Sequence, residues 1–260
     1  MIKVSKYLIF VAIASIALQF IEQFFVLLLF ASIHEIAHII TGLLLGVKPK
    51  KIIISPLGPI VTLIDFDRLT SLKKILILTA GPSTNLVFMI LFFYLNITFL
   101  WQANAVLLVF NLLPIYPLDG GRILLTILSK KVGMICANTF VMKIGNIFNS
   151  LLFFVGLIQV ILFPYNVSLI LLSLYLKKVS NEHYKEMVYV FYNIILQCLK
   201  PDNPVQIKFL LVNDNINLVK LINRFDYESF HIAYITKNNV VINIIDEFEI
   251  IHMIKEQGLN

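Results

Sequence analysis

The sequence predicts an α-helical polytopic membrane protein of about six transmembrane helices, followed by a small C-terminal α+β domain. Three observations carry that prediction. Of the 260 residues, 59% are hydrophobic and only 14% charged, and the mean hydropathy is +0.88, outside the range of ordinary soluble domains. The acids are segregated: up to residue 180 there are only Glu22, Glu35, Asp65, Asp67 and Asp119, and the other ten lie beyond. The lysines and arginines, for their part, gather at the ends of apolar runs. The net charge of +6 is thus a topology signal rather than a nucleic-acid patch.

Six apolar segments can be drawn, at about 6–20, 24–46, 75–96, 104–129, 144–163 and 166–176. The first and last are short against the roughly 20 residues of a straight span and call for tilt or local thinning. The N-terminus has signal-peptide character, but the chemistry follows in the next apolar run, so it reads as an uncleaved first span. Lys3 and Lys6 precede that span. Lys48, Lys50, Lys51, Arg68, Lys73 and Lys74 separate the second and third. Lys130, Lys131 and Lys143 separate the fourth and fifth, and Lys177 and Lys178 follow the sixth. The alternate loops carry none, which places both termini in the cytoplasm of a multi-pass protein. Cys136 and Cys198 lie in different parts with no ligand-like spacing and read as ordinary thiols.

The second segment contains ASIHEIAHIITGLLLG, residues 31–46. On a helix His34 and His38 stand one turn apart, with Glu35 in the same sector. Two imidazoles so spaced can share a metal ion, and the carboxylate can reach its water; this is the zinc-peptidase pattern H-E-x-x-H. The bland alternative is two buried histidines and an acid satisfying one another. A carboxylate at membrane depth costs about 2.5 kcal/mol or more without a partner, which favours the metal.

Residues 47–66 interrupt the helices with β-prone runs around Pro56-Leu57-Gly58-Pro59. They read as a hairpin dipping into the membrane, whose free edge could pair with an extended substrate, or as a plain connecting loop. In AGPSTN, residues 80–85, Gly81 and Asn85 are one turn apart and read as close packing plus one buried amide. The fourth segment holds NLLPIYPLDGGR, residues 111–122, which cannot continue as plain helix. Asp119 lies within it, the one intramembrane acid besides Glu35 and the candidate third zinc ligand. A kinked helix with a capping Asp is the alternative. Asn111 could hydrogen-bond an extended substrate or a developing oxyanion.

These stretches resemble the site-2 protease family of intramembrane metalloproteases. HEIAH matches its H-E-x-x-H, AGPSTN its G-P-x-x-N, and NLLPIYPLDG its N-x-x-P-x-P-x-L-D-G, with one spacing departure at Pro-Ile-Tyr-Pro. The resemblance covers residues 1–180. It implies one zinc ion on His34, His38 and Asp119, Glu35 as the base, and Asn111 and Pro117 shaping the substrate cleft. No PDZ-like insert separates the motifs. The chain therefore looks most like family members of endospore-forming bacteria, which cleave a membrane-associated sigma-factor precursor of the sigma-K type. That resemblance implies the mother-cell membrane around the forespore and membrane inhibitor proteins as partners.

Residues 181–199 read as an amphipathic linker helix. Residues 200–260 then read strand (208–212), helix (215–225), strand (231–236), strand (240–245) and helix (246–257). This order resembles a single CBS motif, which implies homo-oligomerisation through the tail because one such unit has little core. Nucleotide-binding CBS motifs bind ATP through a hydroxyl and an acid near the last strand–helix junction. Asp246 and Glu249 stand there, and an acid in place of the hydroxyl counts against ATP.

The sequence thus predicts an intramembrane metalloprotease domain (1–180), a linker (181–199) and a cytoplasmic CBS-like domain (200–260), with no nucleic-acid partner. The function is that of a zinc-dependent endopeptidase. The rival is a non-catalytic membrane metal-binding or metal-transport protein, which would need a polar path through the full membrane depth.

Overall fold

Backbone groups in lipid have no water to bond, so an apolar run must close its hydrogen bonds internally and fold as a helix. The computed structural model describes residues 2–4, 21–55, 58–64, 66, 69–163, 166–198, 206–218, 221, 224–225, 229–237 and 240–256. The sequence-predicted first span, 6–20, lies outside them. The chain forms two units, Met1–Pro114 with Leu118–Ile123, and Ile115–Pro117 with Leu124–Asn260.

The first unit opens with a short strand, β1 (Ile2–Val4), and the long helix α1 (Ile21–Leu44). Strands β2 (Pro49–Ser55) and β3 (Gly58–Leu63) follow. They pair antiparallel from Pro49↔Leu63 to Ser55↔Gly58, so this stretch is built of paired strands and is not a plain loop. The sequence did not announce a third strand: β1 runs parallel to β2, with Ile2 opposite Ile52, giving the order β1-β2-β3. Helices α2 (Ser71–Tyr94) and α3 (Thr98–Asn111) complete the frame. Phe30 of α1 packs against the stacked rings of Phe88 and Phe92 of α2, centroids 5.4 and 5.6 Å away. Phe93 of α2 meets Trp101 of α3 edge-on at 6.1 Å.

The fourth apolar segment is broken. After α3 the chain runs without regular structure through 112–118 and restarts as α4 (Asp119–Val132). The break lets the chain double back closely: a Cβ on Gly120 would collide with the backbone of Leu112 and lie 2.7 Å from Leu113 O. Only glycine fits there. Arg122 in the first turn of α4 lays its guanidinium over the Phe66 ring at 4.7 Å.

The second unit contains α5 (Met134–Leu162) and α6 (Ser168–Cys198), packed against each other. Helix α5 buries small and apolar residues (Ala137, Val141, Gly145, Gly156) with two amides, Asn138 and Asn149, while Ile147, Leu151, Phe154, Ile158 and Ile161 are exposed. A large apolar exterior with small residues and amides at the contact is what a lipid solvent selects. Among the described residues three helices, α1, α2 and α5, are long and apolar enough to cross a membrane, and α3 is apolar but has 14 residues.

Helix α6 corrects one boundary. The sixth span (166–176) and the linker helix (181–199) of the sequence reading are one continuous helix. No Pro or Gly lies between Ser168 and Cys198 to end it, and Lys178 and Glu182 pair across the supposed boundary at 4.0 Å.

The tail strands β4 (Gln206–Asn213), β5 (Ser229–Lys237) and β6 (Val240–Asp246) and the helix α7 (Glu247–Glu256) lie where the sequence puts them. The intervening helix, 215–225, falls partly outside the described residues. Strands β4 and β5 are parallel, and β5 and β6 antiparallel. Val212, Leu221, Phe225, Ala233, Ile245 and Ile250 form the tail's core, joined by Met134 of α5. Asp246 caps α7, its Oδ1 accepting the N–H groups of Phe248 and Glu249, each at 2.9 Å.

Candidate metal centre

Helix α1 supplies two imidazoles on one face. His34 and His38 are 3% and 8% exposed, their rings meet edge-on with centroids 4.8 Å apart, and their Nε2 atoms are separated by 3.1 Å. Asp119, the first residue of α4, brings Oδ2 to 3.0 Å from His34 Nε2 and 3.1 Å from His38 Nε2. Residues 34, 38 and 119 are thus brought together at a single point by two helices. Glu35 adds its carboxylate, and the ligand atoms of His34, Glu35 and His38 all lie within 4.8 Å of one another.

What surrounds the rings decides which atoms carry protons. His38 Nδ1–H donates to Ile77 O of α2 at 2.6 Å, which leaves Nε2 of the neutral ring with a bare lone pair. His34 Nδ1 faces the Asn85 amide of α2 at 2.9 Å. Asn85 is fully buried, and its Oδ1 has no hydrogen-bond partner. The two ends of an amide have the same shape; with Oδ1 turned toward the ring, His34 Nδ1–H donates to it. His34 Nε2 is then a lone pair as well. In that arrangement two imidazole nitrogens and a carboxylate oxygen converge at 3.0–3.1 Å, a donor set that suits a cation.

Zinc fits. Tetrahedral ligand atoms at about 2.0–2.1 Å from zinc stand roughly 3.3 Å apart, close to the observed spacing. Room for the ion is kept by Gly81 of α2: a Cβ there would lie 2.5 Å from His34 Nε2 and closer still to His38 Nε2. Glycine leaves a cradle that any other residue would fill.

Gly81 and Asn85 are the residues the sequence reading under-used, taking them as packing. The signal was present in their one-turn spacing, because a buried amide among lipid-facing helices needs a partner. The other two candidates are placed differently. Asn111 is half-buried, and its Nδ2 donates to Leu107 O of its own helix at 3.0 Å. Pro117 is partly buried in the 112–118 break, after a cis peptide bond to Tyr116.

Two buried imidazoles one turn apart, a carboxylate from a broken helix, and apolar helices long enough to cross a membrane point to the class of integral-membrane metallopeptidases. The chain belongs to peptidase family M50, the site-2 protease family, whose family model matches residues 22–102 and 95–155; M50 metalloproteases use zinc. It is 31% identical over 197 residues to a zinc metalloprotease of Methanocaldococcus jannaschii, a match that covers 70% of this chain and 56% of that protein. The match thus spans little more than half of that relative's length. It is 23% identical to stage IV sporulation protein FB of Bacillus subtilis over 96% of this chain and 90% of that one. Among solved structures it resembles the site-2 protease from Methanocaldococcus jannaschii, with a TM-score of 0.56 and 26% identity, covering 70% of this chain and 90% of that structure.

Proposed function

We propose that this chain is a zinc-dependent intramembrane endopeptidase, with His34, His38 and Asp119 as ligands and Glu35 as the general base. The observation that carries this reading is the convergence of two imidazole nitrogens, held from behind by Ile77 O and Asn85, and the Asp119 carboxylate on a cradle that Gly81 keeps open. When bound, zinc supplies a Lewis acid that polarises a carbonyl and makes water acidic near neutral pH. Glu35 takes the proton of the attacking water and returns it to the departing amine. Asn85 and Ile77 O hold the two rings in the tautomer that can ligate. The low dielectric around these buried groups strengthens every such interaction.

A helical substrate shields its carbonyls, so the substrate must enter extended, and the β1-β2-β3 sheet beside α1 offers strand edges for such a chain. Asn111 and Pro117 are assigned to that cleft by the family pattern. Six spans with both termini in the cytoplasm fit the lysine bias. The pairing of β1 with β2 supports that topology, since it keeps residues 2–4 and the hairpin on one side of the membrane. The relation to stage IV sporulation protein FB supports a membrane-associated sigma-factor precursor as substrate, with membrane inhibitors, in a spore-forming bacterium. The tail is read as a CBS-like cytoplasmic domain that joins copies of the chain. With Asp246 committed to capping α7, ATP binding has no support.

Co-expression with membrane-tethered sigma-factor precursors tests this. The wild-type chain yields a shortened product, and Glu35→Gln loses about 10²–10⁴-fold in cleavage while keeping its zinc. Near-normal cleavage by a fully metallated Glu35→Gln protein sinks the mechanism.

A further inference from the structure

The turn that presents Asp119 is gripped by another helix. It runs Pro114-Ile115-Tyr116-Pro117-Leu118, and Pro117 fixes its own φ and restricts Tyr116 before it. Tyr116 is held in addition by α6. Its carbonyl oxygen accepts a hydrogen bond from Ser180 Oγ, and its ring stacks on His183, with centroids 3.7 Å apart and planes 12° from parallel. Ser180 and His183 are three residues apart, hence neighbours on one helix face, and they continue a buried stripe that includes Ser173 and Leu176. Ile115, beside Tyr116, is 1% exposed. Three residues after Tyr116 comes Asp119, whose Oδ2 must stay within reach of two imidazoles.

We propose that Ser180 and His183 are positioning residues: they latch Tyr116 and thereby fix the turn that delivers Asp119 to the metal. Neither touches the reacting atoms. This inference rests on Asp119 being a ligand, and the test separates the two. Metal affinity is the primary readout, measured by zinc competition with a chelator on the full-length protein in detergent, together with the absorption of the cobalt-substituted form. His183→Ala lowers zinc affinity by about 10-fold or more, the range for outer partners of metal ligands, and changes the cobalt spectrum. It lowers kcat more than KM. His183→Phe keeps a stacking ring and restores both readouts, which a general loss of stability would not predict. Ser180→Ala, which removes one hydroxyl and leaves the helix intact, shifts affinity in the same direction by less. In the Tyr116→Ala background His183→Ala adds nothing, because the latch is already open.

Asp119→Ala runs alongside. If it binds zinc like the wild type, the ligand assignment fails and the latch has nothing to position. If Asp119→Ala loses zinc while His183→Ala and Ser180→Ala bind it at wild-type affinity with an unchanged cobalt spectrum, the ligand assignment stands and the latch is overturned.

Discussion

Among the described residues, buried histidines meet carboxylates at two places, and the two differ in kind. In the tail, His231 and Glu247 are 1% and 2% exposed. Glu247 Oε1 receives the His231 backbone N–H at 2.9 Å and lies 2.5 Å from its Nδ1, while the ring stacks on Phe225 with centroids 4.7 Å apart. Donors meet an acceptor, and the contact closes on itself as core structure. In the first unit, His34, His38 and Asp119 are also buried and also touch, yet their outer nitrogens are turned away toward Ile77 O and Asn85. Both Nε2 atoms and the carboxylate are left to face one common point. A histidine beside a carboxylate is therefore no sign of a metal by itself. The direction of the second ring nitrogen decides.

The sharpest way to break this comparison is Gly81→Ala. Its methyl falls on the ion's place against both Nε2 atoms, so zinc content should drop to background, as measured on purified protein by atomic absorption. Stoichiometric zinc in that variant would mean the cradle lies elsewhere. Asn85→Ala should act more gently, costing about 10–100-fold in zinc affinity by freeing the His34 ring. The tail pair should behave in the opposite way. Glu247→Gln should cost about 1–3 kcal/mol of tail stability through an ill-matched buried contact, read by hydrogen exchange in β5, and should leave zinc affinity unchanged. If chelation of the metal loosened β5 as much as that substitution does, the distinction between the two pairs would collapse.

How much of this could be read beforehand varies with distance along the chain. HEIAH is local: one helical turn fixes the geometry of His34 and His38, and the sequence suffices. Asp119 was reachable by scarcity, since the membrane part has few acids. The parts that Asn85 and Gly81 play depend on which face of α2 turns toward α1, a tertiary fact that apolar periodicity does not encode. The same holds for β1: a strand of three residues carries no pattern of its own, and its identity comes from its partner β2. The continuity of the sixth apolar segment with the linker helix was hidden for a different reason. The apolar run stops near Leu176 and charges begin, but a change of solvent is not a helix stop when neither Pro nor Gly intervenes.

That unbroken α6 has a geometric consequence. A straight helix is a shaft with a fixed phase, advancing about 100° and 1.5 Å per residue. From Ser180, which grips the turn before Asp119, to Cys198 is five full turns and about 27 Å, so both ends of that stretch share one heading. One residue inserted between them would swing everything beyond it by about 100°, while seven would bring it back to within about 20° of its original bearing. The chain thus counts, in residues along a single rod, the angle at which whatever follows Cys198 is presented.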